Sequence, residues 1–259
     1  CFMKKPLILV TNDDGITAPG IRALVRIMND FGDVYVVAPD SPQSAKSNAL
    51  TLDKPIRCNS IKVDSGQQKE FACSGTPVDC VKIALNKVLP RKPDLCVSGI
   101  NHGSNSSINV IYSGTVSAAL EASINEVPSL AFSILDYSFS ADFSESEYFV
   151  RKIVKMVLSN KICNRTCLNI NIPKSIPSQK IKGLKVCQQA AAKWKEEFIE
   201  RKDAKGDIYY WLTGKFICED NSNKTDEWAL DNQYVSIVPV KFDLTSYAMI
   251  KEIQDFFHD

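Results

Sequence analysis

LILVTNDDGITAPGIRALVRIMNDFGDVYVVAPD, residues 7–40, is the stretch on which the fold turns. Residues 7–10 are a short apolar run opening into TNDDG, which reads as a buried strand ending in a loop. Pro19 suits the first turn of a helix, and Ile21, Leu24, Val25, Met28 and Phe31 fall on one helical face. Residues 34–38 form a second β-branched run, ended by Pro39. Strand, helix and strand at this spacing make a βαβ unit, and so predict a parallel sheet covered on both faces.

The alternation continues. Residues 56–74 hold two or three short strand candidates, and 77–88 predicts a helix bearing Val78, Val81, Ile83, Leu85 and Val88. A buried strand at 95–98 precedes the polar loop GINHGSNSSINVIYSG. An Ala-rich helix is expected over 115–124, a strand over 129–133, an amphipathic helix over 145–158 and a strand over 167–172. Beyond Pro173 helix signals thin out, and Trp194, Trp211 and Trp228 appear. WKEEFIE and DIYYWLT flank the polar turn RKDAKG, which predicts a long hairpin over 194–213. A strand at 234–240 and an amphipathic helix at 245–257 complete the chain. No repeat or low-complexity tract interrupts it.

Composition excludes several classes. The 31 basic and 30 acidic residues cancel to a net charge of +1, so no global field points to polymeric nucleic acid or an anionic membrane. The basic residues at 193–205 are interleaved with acids and read as a solvated hairpin. The first apolar run is too brief for a signal peptide or a membrane span, which predicts a cytoplasmic protein, with Met3 as initiator and Cys1–Phe2 as a cloning remnant. The nine cysteines, several inside apolar runs, read as reduced core residues. Their one close pair, Cys163 and Cys167, has no histidine nearby. With only His102 and His258 in the chain a zinc site is not expected. None of the nine has an arginine at the spacing that cysteine phosphatases need.

In an open parallel sheet ligands bind outside the carboxyl ends of the strands. Three polar clusters fall there: Asp13 and Asp14 after the first strand, Ser41, Gln43 and Ser44 after the second, and Ser98, Asn101 and Asn105 around the strand at 95. Two adjacent aspartates on a regular strand point to opposite faces, but in a loop with Gly15 both can turn to one point. Their mutual repulsion then favours a divalent cation; the alternative reading of DDG is a plain turn. Ser113, Gly114 and Thr115 stand where a helix begins and offer an anion free N–H groups, or Thr115 serves as an N-cap. His102 has no evident orienting carboxylate and is not read as a catalytic base.

Together these motifs closely resemble the SurE family, the stationary-phase survival proteins that act as nucleotidases. The matching stretches are VTNDDGITAPGI, VVAPDSPQSAKSNALTL, SGTPVDCVKIAL, PDLCVSGINHGSN and VIYSGTVSAALEA, covering most of residues 7–133, and later YVSIVPVKFDLT. The resemblance implies a three-layer Rossmann-like α/β fold with a mostly parallel central sheet, helices on both faces, a protruding C-terminal β-hairpin and elements exchanged between subunits. It implies a metal held by Asp13, Asp14, Ser44 and Asn101, with Asp13, Asp14 and Asn101 catalytic. Phosphate contacts are implied for Gly103, Asn105, Ser113, Gly114 and Thr115. The implied reaction is hydrolysis of nucleoside 5′- and 3′-monophosphates, with some activity on short polyphosphate. Ser107, Ser117 and Ala122 depart from the family pattern at positions where glycine is usual.

The expectation is therefore a single phosphohydrolase domain over residues 3–259, with a catalytic core at 3–173 and hairpin and oligomerisation elements at 174–259, assembling as a homodimer or homotetramer. All the implied ligands are oxygens, which suits one Mg²⁺ or Mn²⁺ per subunit better than zinc. The rival reading is a non-catalytic phospho-signalling or nucleotide-sensing domain. A response-regulator receiver needs a phospho-accepting Asp after a later strand, where this chain has Ser98 and Asn101. No G-x-G-x-x-G follows the first strand, and the adjacent acids of NDDG do not fit the haloacid-dehalogenase pattern.

Overall fold

The computed structural model describes residues 5–138, 140–160, 165–176 and 179–257. Cys1, Phe2, Met3, Cys163 and His258 lie outside them. The βαβ reading holds: β1 (Leu7–Thr11), α1 (Pro19–Met28) and β2 (Asp33–Pro39), with β1 and β2 parallel. There follow β3 (Cys58–Ile61), β4 (Lys69–Cys73), α2 (Pro77–Ile83), β5 (Leu95–His102), α3 (Gly114–Ile124), β6 (Ser129–Ile134), α4 (Ser144–Asn160) and β7 (Cys167–Ile172). The C-terminal third adds β8 (Gly183–Val186), β9 (Ala192–Lys202), β10 (Ile208–Cys218), α5 (Asp226–Asp231), β11 (Tyr234–Val240) and α6 (Tyr247–Phe256).

Nine strands make one sheet in the order β3-β4-β2-β1-β5-β6-β7-β11-β8. The six from β4 to β7 are parallel, while β3 at one edge runs antiparallel to β4, and β11 runs antiparallel to β7 but parallel to the edge strand β8. The strand order reverses between β1 and β5, which is where such sheets open a crevice at their carboxyl ends. Two of the nine strands, β11 and β8, come from beyond residue 173.

The core explains the unbroken apolar runs. Ile8, Val10, Val36 and Val97 face the layer of α1 and α4, where Leu24, Met28, Ile153 and Val154 are buried. Their neighbours Leu9, Val37 and Cys96 face the other layer, where Cys80 and Val81 of α2 pack with Ala118 and Ala122 of α3. Strands covered on both faces have no polar side to show. Pro19 at the start of α1 and the capping box between Thr76 and Asp79 at the start of α2 fix where these helices begin.

Several boundaries differ from the sequence-based expectation. The helix expected over 77–88 is α-helical only to Ile83 and then widens into a π turn, Ala84–Val88, closed by Leu89 N–H donating to Ala84 O. The strand expected to end at residue 98 runs on to His102, because Asn101 and His102 still pair with β6 after a bulge. α5 and β8 had no clear signal. The hairpin is longer than 194–213: β9 and β10 pair from Ala192↔Cys218 to Lys202↔Ile208, so Arg201 and Lys202 belong to the strand. It forms a separate two-stranded sheet with Phe198 and Trp211 exposed. No residue of α6 is buried.

α1 reaches the site closely because Gly20 has no side chain. A Cβ there would sit 1.9 Å from the Ile100 carbonyl oxygen, immediately before Asn101. Gly20→Ala is therefore expected to cost about 3 kcal/mol, the upper end for overpacking against backbone. An unchanged urea midpoint would show that α1 can slide away from β5.

Candidate active site

The carboxyl ends of β1 and β5 open into a cleft of about 230 Å³ lined by Asp13, Asp14, Ser44, Asn101, His102, Ser104, Asn105, Asn109, Tyr112 and Ser113, with Ala45. A larger cleft of about 320 Å³, lined by Tyr35, Lys69 and Arg91 among others, has no paired carboxylates. Backbone bonds hold the loops of β1 and β2 together. Gln43 N–H donates to Asp13 O at 2.7 Å, Ile16 N–H to Pro39 O at 2.8 Å, and the Asn12 side chain to Gly15 O at 2.9 Å. Of the cluster after β2 only Ser44 lines the cleft; Ser41 and Gln43 hydrogen-bond beside it on the surface.

Asp13 is buried at the N-terminus of α3. The Thr115 hydroxyl donates to its Oδ1, and the Thr115 backbone N–H also favours the charged form. Gly114 makes this approach possible, since a Cβ there would lie 2.8 Å from the Asp13 Cβ. Ser113, not Thr115, is the N-cap of α3, its Oγ accepting from Val116 N–H at 3.0 Å. Thr115 is fully buried and its hydroxyl is committed to Asp13.

Burial, and next the charge of Asp14, push the Asp13 carboxyl up to about 6, against the opposing bonds from Thr115. Burial also raises Asp14, while the imidazole and backbone N–H of His102 pull it down. Among the described residues the buried Asp14 Oδ2 and Asn12 Oδ1 have no hydrogen-bond donor. Asn101 donates its amide to Gly103 O at 2.9 Å, and among the described residues its Oδ1 takes no hydrogen bond. No three described His, Cys, Asp or Glu residues are grouped to hold a metal. The donor set is two carboxylates with neutral oxygens, which fits a hard divalent cation that keeps several waters.

Asn105 forms the back wall. Its N–H donates to Asn171 Oδ1 at 2.8 Å, its side chain to Ser133 Oγ at 2.8 Å, and its carbonyl accepts from Asn169 at 2.9 Å. Gly103 is not among the lining residues, and its N–H donates to Ile134 O at 2.9 Å while its carbonyl accepts from Asn101. Sequence reasoning missed Ser133, Asn169 and Asn171. The one visible signal was an asparagine at alternate positions in the otherwise apolar strand CLNINI, where a buried amide requires partners.

The family model for the survival protein SurE matches residues 8–196. A 5′-nucleotidase SurE of Christiangramia forsetii is 58% identical over 98% of this chain and 97% of its own length. That of Flavobacterium johnsoniae is 56% identical over 96% of both chains. The crystal structure of the SurE protein from Aquifex aeolicus superposes with a TM-score of 0.82 at 38% identity, covering 98% of this chain and all of that one.

The raised Asp13 pKa carries a stability consequence. The folded state keeps a proton on Asp13 up to about pH 6, whereas the unfolded chain loses it near 3.8. Stability of the metal-free protein should thus fall as pH rises through that window, by on the order of 3 kcal/mol. In chelator at pH 8, Asp13→Asn should melt higher than wild type, and the difference should vanish below about pH 4. Added Mn²⁺ should reverse the order by stabilising wild type alone. An Asp13→Asn variant less stable than wild type in chelator at pH 8 would refute the strain assigned to this carboxylate.

Proposed function

Because the chain belongs to the SurE family, we propose that it hydrolyses nucleoside 5′-monophosphates, and 3′-monophosphates, to nucleoside and phosphate. The observation that carries this reading is the meeting of Asp13, Asp14 and Asn101 with the N-terminus of α3 in one cleft, in a chain whose relatives are named 5′-nucleotidases. Asp13, Asp14, Ser44 and Asn101 would hold one Mg²⁺ or Mn²⁺ per subunit. Such an ion supplies Lewis-acid polarisation of a phosphoryl oxygen and acidifies coordinated water. In this reading Asp13, held by Thr115, would orient the attacking water and take its proton as the water approaches phosphorus opposite the leaving ribose oxygen, which takes up a proton from solvent as the P–O bond breaks. The N-terminal end of α3 at Ser113 and Gly114 would stabilise charge on the other phosphoryl oxygens, while Thr115 holds Asp13 and the backbone N–H groups of Gly103 and Asn105, which donate to Ile134 O and Asn171 Oδ1, fix the shape of the wall. No covalent phospho-enzyme is required: Thr115 is fully buried, and the Ser113 hydroxyl caps α3.

Residues 3–259 act as one phosphohydrolase domain in this reading, and the substrate is a small nucleotide rather than a nucleic-acid polymer. No helix among the described residues is long and apolar enough to cross a membrane. The seven described cysteines are free, in keeping with a cytoplasmic enzyme.

A nucleotide panel assayed with Mg²⁺, Mn²⁺ and chelator tests the proposal. Turnover should require metal, and Asp13→Asn or Asp14→Asn should lower it on the order of 10²-fold or more with circular dichroism unchanged. Near-normal rates in either variant at limiting metal would defeat the site assignment.

Assembly as a homodimer or homotetramer is part of the same proposal. Phe198, Tyr210 and Trp211 of the hairpin and Tyr247, Ile250, Ile253, Phe256 and Phe257 around α6 are all exposed on the single chain. A two-stranded ribbon is marginal in water, and apolar surface on this scale marks an interface. Replacing residues 195–212 with a short Gly-Ser bridge should lower the mass measured by light scattering. Wild-type protein that is monomeric at micromolar concentration would contradict it.

A further inference from the structure

Behind the cleft lies a group of side chains that the proposed chemistry leaves unused. α5 begins with two carboxylates drawn from far along the chain, Asp226 and Glu227. Asp226 is buried, and it accepts from three backbone groups. Its Oδ2 takes Ser107 N–H at 2.8 Å, and its Oδ1 takes Ala190 N–H and Glu227 N–H, each at 2.9 Å. The Ser107 hydroxyl donates to Ala190 O at 2.8 Å. Asp226, Ser107 and Ala190 thus close a ring that ties the loop after β5 to the segment leading into the hairpin.

Ser107 is where that loop needs holding. Its φ of +51° is left-handed, an uncommon conformation for a residue with a side chain, and here it is adopted by a buried residue. The ring holds it, with one bond to its N–H and one to its hydroxyl. Next to it, Ser106 donates to Glu227 and hydrogen-bonds Ser104, which lines the cleft. On the far side, Asn109 of the cleft accepts from Trp194 Nε1 at 2.8 Å. The loop that carries the phosphate-side wall is therefore fixed at three points, Ser106, Ser107 and Asn109.

We propose that Asp226 is a positioning residue for the reaction, which sets the 103–109 loop in its working geometry through the left-handed turn at Ser107. The inference rests on the phosphohydrolase reading of the cleft. Asp226 touches neither substrate nor the carboxylate pair; it acts on where Asn105 and its neighbours stand. An Asn at 226 keeps the shape but turns an amide N–H₂ toward one of the N–H donors, so the ring opens. Asp13 and Asp14 belong to a different loop and should bind metal as before.

The test uses the full chain with Mn²⁺ and a nucleoside 5′-monophosphate, and compares wild type, Asp226→Asn, Ser107→Ala and the double variant. Steady-state rates, Mn²⁺ titration calorimetry and melts are read in parallel. Asp226→Asn should lower kcat/KM by about ten- to a hundredfold, mostly in kcat, with the Mn²⁺ Kd unchanged. Ser107→Ala should lose less, and the double variant no more than Asp226→Asn alone, since both act through one turn. A purely structural role would lower the melting temperature and leave kcat per folded molecule at the wild-type value, and that result overturns the proposal. Losses that multiply in the double variant also overturn it. If Asp226→Asn does not fold, Ser107→Ala decides, and a wild-type kcat there overturns the proposal. An inactive wild type instead removes the phosphohydrolase reading, and this inference with it.

Discussion

Asp13 sits where two incompatible demands meet. As a carboxylate beside a second carboxylate it repels its neighbour, and as a buried group it resists ionisation. The first turn of α3 answers part of both demands, because the Thr115 hydroxyl and backbone N–H and the positive end of the helix all favour a negative charge there. That contact is also a fixed point for the architecture. It joins the loop after β1 to the helix after β5, across the reversal of strand order. Gly114 lets the helix come close enough, and Ser113 takes over the capping that Thr115 would otherwise provide. Gln43 then ties the loop after β2 to the Asp13 carbonyl. The remaining charge, on a buried Asp14 oxygen with no donor among the described residues, is what a cation would complete.

The general frame of this arrangement was legible in the sequence because it repeats with a period. Apolar runs, helical stripes and the proline and serine signals at helix starts are local features, and they placed the sheet, its two covered faces and the three loops at its carboxyl edge. The local details that failed are equally physical. β5 outran its apolar stretch because pairing with β6 resumes after a bulge, and polar Asn101 and His102 carry no strand signature. The π turn after Ile83 adds one residue per turn without changing composition. α5 is six residues long, too short for a helical stripe to show.

Within the site, residue types were legible and partners were not. Two adjacent aspartates announce a need for positive charge, and SGT before an Ala-rich run announces a helix start. Nothing in the chain order says that the Thr115 hydroxyl points at Asp13, or that Asp226 reaches Ser107. These bonds join residues separated by 102 and 119 positions, and such pairs leave no periodic trace. The Asn169–Asn171–Ser133–Asn105 cluster lies between. Its members show up as polar residues in buried strands, which tells that partners exist but not which they are.

Ser107, Ser117 and Ala122, where the resemblance predicts glycine, are each accommodated in a different way. Ser107 keeps a left-handed backbone because Asp226 and Ala190 hold both its N–H and its hydroxyl, so the cost of the side chain is offset by the bond it makes. Ser117 is buried in α3 and returns its hydroxyl to Ser113 O at 2.7 Å, a contact that needs no new partner in the core. Ala122 is fully buried among Cys80, Val81 and Ala118, where a methyl group packs. Only the first of the three bears on the cleft, and it does so by binding the loop after β5 to the root of the hairpin. Trp194, in that same root, holds Asn109. The wall of the cleft and the root of the hairpin are thereby one connected piece of structure, although no residue of β9 or β10 lines the cleft.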